Sequence, residues 1–293
     1  MTLHFRHYPA TGIRRGIVVA LHGIQSHSAW YEFSSRRMAD AGFDVYFADR
    51  RGSGLNGRLR GHADHGMRLL NDVRQLVRLA KNWKAESQAA KPGCHRPGDV
   101  PVTLLGVSWG GKIAAAFAAT YPELIDRLAL LYPGLEPKLC PTWWQRLRLH
   151  LARRHDVRHK SVEIPLSDPA LFTDDAGCRK FIADDPLALH HVTSGLLNAG
   201  NDLDEIIRQN ADRITHPTLV MLAGHDEIID NAATRRRVAT FSIRHLTQIC
   251  YSEARHTLEF DASRELFARD LVHWLSTERL EPTATTVLRM APS

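Results

Sequence analysis

The chain has 293 residues, 44% of them hydrophobic and 24% charged, which suits one large α/β domain or two small ones with a substantial core. No apolar run reaches the roughly 18 residues that would suggest a membrane span. The formal net charge of +6, to which 17 histidines add in mild acid, reads as a solvated basic surface and not as a nucleic-acid footprint.

In chain order, the stretch from Met1 to Gly16 has no long apolar segment ending in a small-residue cleavage site, so no secretory signal is expected. Gly16–Leu21 reads as a buried strand, followed by a glycine-bearing loop and a helix from about Trp30 to Ala41. Phe43–Ala48 is the next strand. A Gly/Arg/His loop leads to a long helix from about Asp64 to Gln88, with Leu69, Leu70, Val73, Leu76, Val77 and Leu79 apolar. Val102–Leu105 and Arg127–Tyr132 are strands on either side of an alanine-rich helix from Trp109 to Thr120. Pro217–Ala223 and Leu246–Tyr251 are later strands, each with a helix after it. Such alternation implies a mostly parallel central sheet with helices on both faces. Residues 135–213 break the rhythm, being helical or irregular with no clear strand, and are expected to be an inserted helical cap. The core is then 1–134 with 214–280, and the polar segment 281–293 is expected to be a loose tail. Cys94, Cys140, Cys178 and Cys250 lie far apart and form no Cys-x-x-Cys pair. Neither a zinc ribbon nor a redox motif is indicated, and a reduced, cytoplasmic setting is expected.

The strand Val102–Leu105 runs into Gly106-Val107-Ser108-Trp109-Gly110-Gly111 and then into a helix. This is Gly-x-Ser-x-Gly in a strand–turn–helix setting, where a strained turn presents the serine Oγ at the carboxyl end of the sheet. A serine hydroxyl needs a base to take its proton, and the base needs an acid to orient it. With a serine presented this way, the acid and then the base follow in chain order. Asp226 comes directly after the strand ending at Ala223, and His256 after the strand ending at Tyr251. Asp230 is a rival acid, better read as the cap of the next helix. His245 is a rival base, but it precedes its strand and belongs at the opposite edge of the sheet. His225 is only a neighbour of the acid. A tetrahedral intermediate also needs fixed donors: the backbone N–H groups of Trp109 and of Ile24, in the loop His22-Gly23-Ile24, are the candidates. His22 itself reads as a structural residue that holds this loop.

These residues resemble the monoacylglycerol lipase and lysophospholipase-like branch of the α/β-hydrolases, also called serine aminopeptidase-like hydrolases. The likeness spans most of the chain outside the insert. It rests on His22-Gly23 with Trp30-Tyr31, on Asp49-Arg50-Arg51-Gly52-Ser53-Gly54, on the Ser108 turn, on Gly224-His225-Asp226 with Ile228-Ile229-Asp230, and on His256-Thr257-Leu258. The resemblance implies an α/β-hydrolase fold, hydrolysis of a small-molecule carboxylic ester through an acyl-enzyme, and no cofactor. The branch usually has His and Met beside the serine, where this chain has Val107 and Trp109; the indole is expected to narrow the acyl pocket. Acyl transfer or thioester hydrolysis by the same triad, peptide hydrolysis, and a non-catalytic binding module remain alternatives.

Other signals carry less. Gly52-Ser53-Gly54-Leu55-Asn56-Gly57 is a literal Gly-x-Gly-x-x-Gly, but no apolar helix begins there, so no nucleotide site is expected. His62, Asp64 and His65 lie close together and read as a polar surface loop; no metal is expected. In the insert, Trp143 and Trp144 precede a basic stretch from Arg146 to His155. These tryptophans are candidate substrate-binding residues, on a helix that either packs on the core or meets anionic lipid at its periphery. Asp168-Pro169 and Asp185-Pro186 read as two capped helix starts.

Overall fold

Unbroken apolar runs need cover on both faces, and here they have it. The computed structural model describes residues 3–88, 100–138, 158–277 and 285–289. Among these the strands are β1 Phe5–Tyr8, β2 Gly16–Leu21, β3 Phe43–Ala48, β4 Val102–Val107, β5 Arg127–Leu131, β6 Ser161–Glu163, β7 His191–Thr193, β8 Thr218–Ala223, β9 Leu246–Tyr251 and β10 Thr285–Arg289. The α-helices are α1 Glu32–Asp40, α2 Gly66–Gln88, α3 Trp109–Thr120, α4 Ala176–Asp184, α5 Ser194–Gln209, α6 Asn231–Val238 and α7 Arg264–Ser276. Eight strands form one sheet in the order β1-β3-β2-β4-β5-β8-β9-β10, parallel except for β1 against β3. Every residue of β2, β3, β4 and β8 is buried.

The parallel arrangement decides where chemistry can occur. Strands running the same way end at the same edge, so the loops after β2, β4, β8 and β9 converge there. Helix α3 lies close against the sheet because its inner side is nearly all alanine and glycine; Gly110 through Ala119 are buried without a break. On its other side lies α5, pinned by a 2.7 Å ion pair between Lys112 and Asp204 and burying Leu196, Leu203 and Ile207.

The structure departs from the sequence expectations in several places. Edge strand β1 was invisible in the sequence because its four residues are only half-buried and show no alternation. Pairing with β3 and the stacking of His7 on Tyr46, at 4.4 Å between centroids, hold it there. The expected helix from Trp30 begins as a 3-10 turn over Ser28–Tyr31, and α2 begins at Gly66 rather than Asp64. The segment between β5 and β8, expected to lack strands, contains the antiparallel pair β6 and β7. These strands have three residues each, too few for a period-2 pattern, and their partners lie far apart in sequence. The tail also departs from expectation: within 281–293, Thr285–Arg289 extends the sheet beside β9.

Asp168 caps a short 3-10 helix as expected. Asp185 does not start a helix. Its Oδ2 accepts from His27 Nε2 at 2.9 Å and from Trp30 Nε1 at 2.6 Å, which ties the segment between β5 and β8 to the one between β2 and α1. The loop with His62 lies at the surface through His65 and residues 57–60, but His62 itself departs from that reading: it is buried, bonded through Nδ1 to Thr193 at 2.8 Å and through Nε2 to Asp64 at 3.0 Å. Trp143, Trp144 and the basic stretch 146–155 lie outside the described residues. Among the described residues, no helix is long and apolar enough to cross a membrane.

Candidate active site

Between β4 and α3 the backbone must reverse within one residue. Ser108 makes that reversal at φ 50°, a left-handed conformation that costs a non-glycine residue on the order of 1–3 kcal/mol. The turn closes only because its flanks lack side chains. A Cβ on Gly106 would sit 2.5 Å from the Gly110 carbonyl oxygen and 2.6 Å from the Gly111 Cα. The strain leaves Ser108 as the residue before the first turn of α3, with its hydroxyl at the convergent sheet edge.

Asp226 and His256 reach Ser108 from the ends of β8 and β9. His256 Nε2 lies 2.9 Å from Ser108 Oγ, and His256 Nδ1 lies 2.7 Å from Asp226 Oδ2. The other Asp226 oxygen, Oδ1, accepts the backbone N–H groups of Ile228 and Ile229 at 2.8 and 2.9 Å. Both His256 and Asp226 are 2% exposed. The imidazole is boxed in by Tyr132, edge-on with centroids 4.9 Å apart, and by Phe172 at 6.0 Å. The structure therefore brings together all three residues singled out in the sequence. It also separates their rivals: Asp230 accepts from Ala233 N at 2.9 Å and caps α6, while His245 lies at the far end of β9 and His225 is exposed.

The loop after β2 completes the arrangement. Gly23 passes so close to the Ser108 turn that a Cβ there would lie 3.3 Å from Ser108 Cβ and 3.6 Å from Ser108 Oγ. Among the described residues, the Ile24 N–H has no backbone acceptor outside the regular elements, and Trp109 opens α3, where the first N–H groups have no partner inside the helix. His22 shapes this loop from beneath. Its Nε2 accepts the Arg50 backbone N–H at 2.8 Å, so the proton of the neutral ring belongs on Nδ1, which donates to the Gly23 carbonyl at 2.7 Å. Burial, reinforced by the Arg50 charge, lowers its pKa to about 3 and keeps it neutral.

This gives a pH-dependent stability. In the unfolded chain His22 takes up a proton near its ordinary value of 6.5, whereas in the folded protein it resists until about 3. Between those values the unfolded state binds the extra proton, so acidification across this window removes stability. The melting temperature is expected to fall as pH drops from 6.5 towards 3, and to fall less steeply in His22→Asn; identical slopes would clear His22 of the effect.

Two further residues were not singled out individually in the sequence. Glu259, three residues after His256, accepts the Ser34 N–H in the first turn of α1 at 2.9 Å and so anchors the His256 loop. Burial pushes its pKa up to about 7. Arg50 folds inward over the Trp109 ring, its Cζ 4.9 Å from the ring centroid, while the adjacent Arg51 turns away to a bidentate pair with Asp72. Nothing in the dipeptide Arg50-Arg51 distinguishes the two. Among the described residues, no group of three His, Cys, Asp or Glu side chains is arranged to hold a metal ion.

Comparison with known proteins shows the family to which the chain belongs. A monoacylglycerol lipase of Mycolicibacterium smegmatis is 26% identical over 269 residues, covering 89% of this chain and 88% of that protein. Lysophospholipase L2 of Escherichia coli is 28% identical over 237 residues, covering 74% of this chain and 65% of that protein. The crystal structure of Paleococcus ferrophilus monoacylglycerol lipase superposes with a TM-score of 0.78 at 26% identity, over 94% of this chain and 99% of that one. The sequence pattern of the family described as serine aminopeptidase, S33, matches residues 12–263, a span that contains Ser108, Asp226 and His256. With the parallel sheet and the strained serine turn, that match makes the chain a member of the serine aminopeptidase S33 family of α/β-hydrolases.

Proposed function

We propose that this protein hydrolyses the carboxylic ester of a small monoacyl substrate, of the monoacylglycerol or lysophospholipid class, with Ser108 as nucleophile, His256 as base and Asp226 as orienting acid. The observation that carries this reading is the continuous hydrogen-bonded line from Ser108 Oγ through His256 to Asp226, at 2.9 and 2.7 Å, at the convergent edge of the sheet. The ester class is supported by relatives named monoacylglycerol lipase and lysophospholipase.

The chemistry follows from the protons. Asp226 keeps the His256 proton on Nδ1, which leaves Nε2 free to take the proton of Ser108 as Oγ attacks the acyl carbonyl. The carboxylate then stabilises the imidazolium. The oxyanion is held by the N–H groups of Ile24 and Trp109, donors that need no rearrangement when the charge develops. His256 returns its proton to the leaving alcohol and later activates the water that releases the acid. The fixed Trp109 indole beside Ser108 narrows the acyl pocket. The free thiols of Cys178 and Cys250 fit the cytoplasmic setting proposed for the enzyme.

A substrate panel tests the reading. Monoacylglycerols, lysophospholipids and p-nitrophenyl esters of graded chain length are expected to turn over, with aminoacyl p-nitroanilides left intact. Cleavage of the anilides without cleavage of any ester would replace the esterase reading with a peptidase.

A further inference from the structure

A buried cation ordinarily lies beside a buried anion, because a charge removed from water needs a partner. Arg50 is 7% exposed; the charge of the adjacent Asp49 acts on it, but among the described residues no carboxylate forms a direct ion pair with its guanidinium. The adjacent Asp49 is occupied elsewhere: its oxygens accept from Ser28 N at 2.8 Å and Leu55 N at 2.9 Å, and it lies 3.2 Å from His4 Nδ1. Two Arg50 nitrogens, Nε and Nη1, are buried with no hydrogen-bond partner among the described residues. Burial lowers the Arg50 pKa to about 9, which still leaves it charged at neutral pH.

The groups it does touch belong to the two segments that supply the oxyanion donors. Nη2 donates to the Ile24 carbonyl at 2.8 Å and to the Gly23 carbonyl at 3.4 Å, and the guanidinium lies over the Trp109 ring. The Gly23 carbonyl and the Ile24 N–H are the two ends of one peptide group. The oxygen already accepts from His22 Nδ1 at 2.7 Å. A second donor bearing full positive charge draws more electron density to that oxygen, and the N–H at the other end becomes a stronger donor.

We propose that the counter-charge of Arg50 is the negative charge that develops on the substrate carbonyl oxygen. Arg50 is thus a positioning residue that polarises the Gly23–Ile24 peptide and fixes Trp109. The inference rests on the proposed roles of Ser108, Ile24 and Trp109. Because the substrate carbonyl carries little charge before attack, the benefit falls on kcat and not on KM.

The test uses Arg50→Lys, which keeps the charge, with Arg50→Gln and Arg50→Met, which remove it. Each is assayed on a neutral ester, p-nitrophenyl butyrate, and for inhibition by a trifluoromethyl ketone, whose adduct places an oxyanion in the same site. The two neutral variants are expected to lose about tenfold to about a hundredfold in kcat, less than the loss of a whole oxyanion donor. KM should stay within about twofold and the ketone inhibition constant should rise by the same factor as kcat falls. Lysine is expected to restore most of the loss. Should methionine unfold the protein, the lysine and glutamine pair still decides. The proposal is overturned if folded Arg50→Gln keeps the wild-type kcat, or if the loss lies in KM. It is equally overturned if the loss is confined to esters carrying a carboxylate or phosphate, which would make Arg50 a ligand for a substrate anion. Titration with a fluorophosphonate separates the two levels: unlabelled wild type defeats the Ser108 reading, whereas labelled variants with unchanged kcat defeat only the Arg50 inference.

Discussion

Ser108→Ala is expected to reduce ester turnover by a factor on the order of 10⁴–10⁶ while leaving the fold intact. Among the described residues the side-chain bond of Ser108 is the one to His256 Nε2, so removing the hydroxyl strands no other buried donor or acceptor among them. Alanine at φ 50° carries the same kind of backbone strain that serine already bears, and the melting temperature should shift little. Any residual rate would come from the oxyanion donors acting on bound substrate. Fluorophosphonate labelling should vanish together with turnover. Turnover within tenfold of the wild type would mean that another group attacks the ester.

Asp226→Asn is expected to lower kcat by about 10⁴ through the tautomer of His256. The reason lies in the fixed environment of the carboxylate. Oδ1 accepts two backbone N–H groups, from Ile228 and Ile229, so the asparagine carbonyl must take that position. Its NH2 then faces His256 Nδ1, which becomes the acceptor and moves the ring proton to Nε2. A protonated Nε2 cannot take the proton of Ser108. Asp230→Asn is the matched control, since asparagine also serves well as a helix cap and α6 should keep both its stability and the activity. Near-wild-type kcat in Asp226→Asn, or a collapse in Asp230→Asn, would reverse the assignment.

The sequence and the structure agree where information is local. The Gly106–Gly110 turn could be read because one residue in a left-handed conformation, flanked by positions with no room for a Cβ, leaves few choices of amino acid. The core strands could be read because burial on both faces demands continuous apolar runs. The order Ser108, Asp226, His256 was legible once those strands were assigned, since parallel strands deliver their following loops to a single edge. Strand β1 and the β6–β7 pair were not legible, because they are short and held by partners distant in the chain.

By itself, then, the amino-acid sequence determined the layered α/β plan, the candidate nucleophile, acid and base, and the two places, Ile24 after β2 and Trp109 after Ser108, proposed for the oxyanion donors. Each of these depends on a backbone requirement or a hydrophobic period written within a few residues. The tertiary structure alone decided which of two adjacent arginines turns inward, that Asp185 binds His27 and Trp30 instead of starting a helix, and that His62 is buried under Thr193. Those outcomes depend on desolvation and on partners brought from distant parts of the chain, and neither leaves a mark in the local pattern.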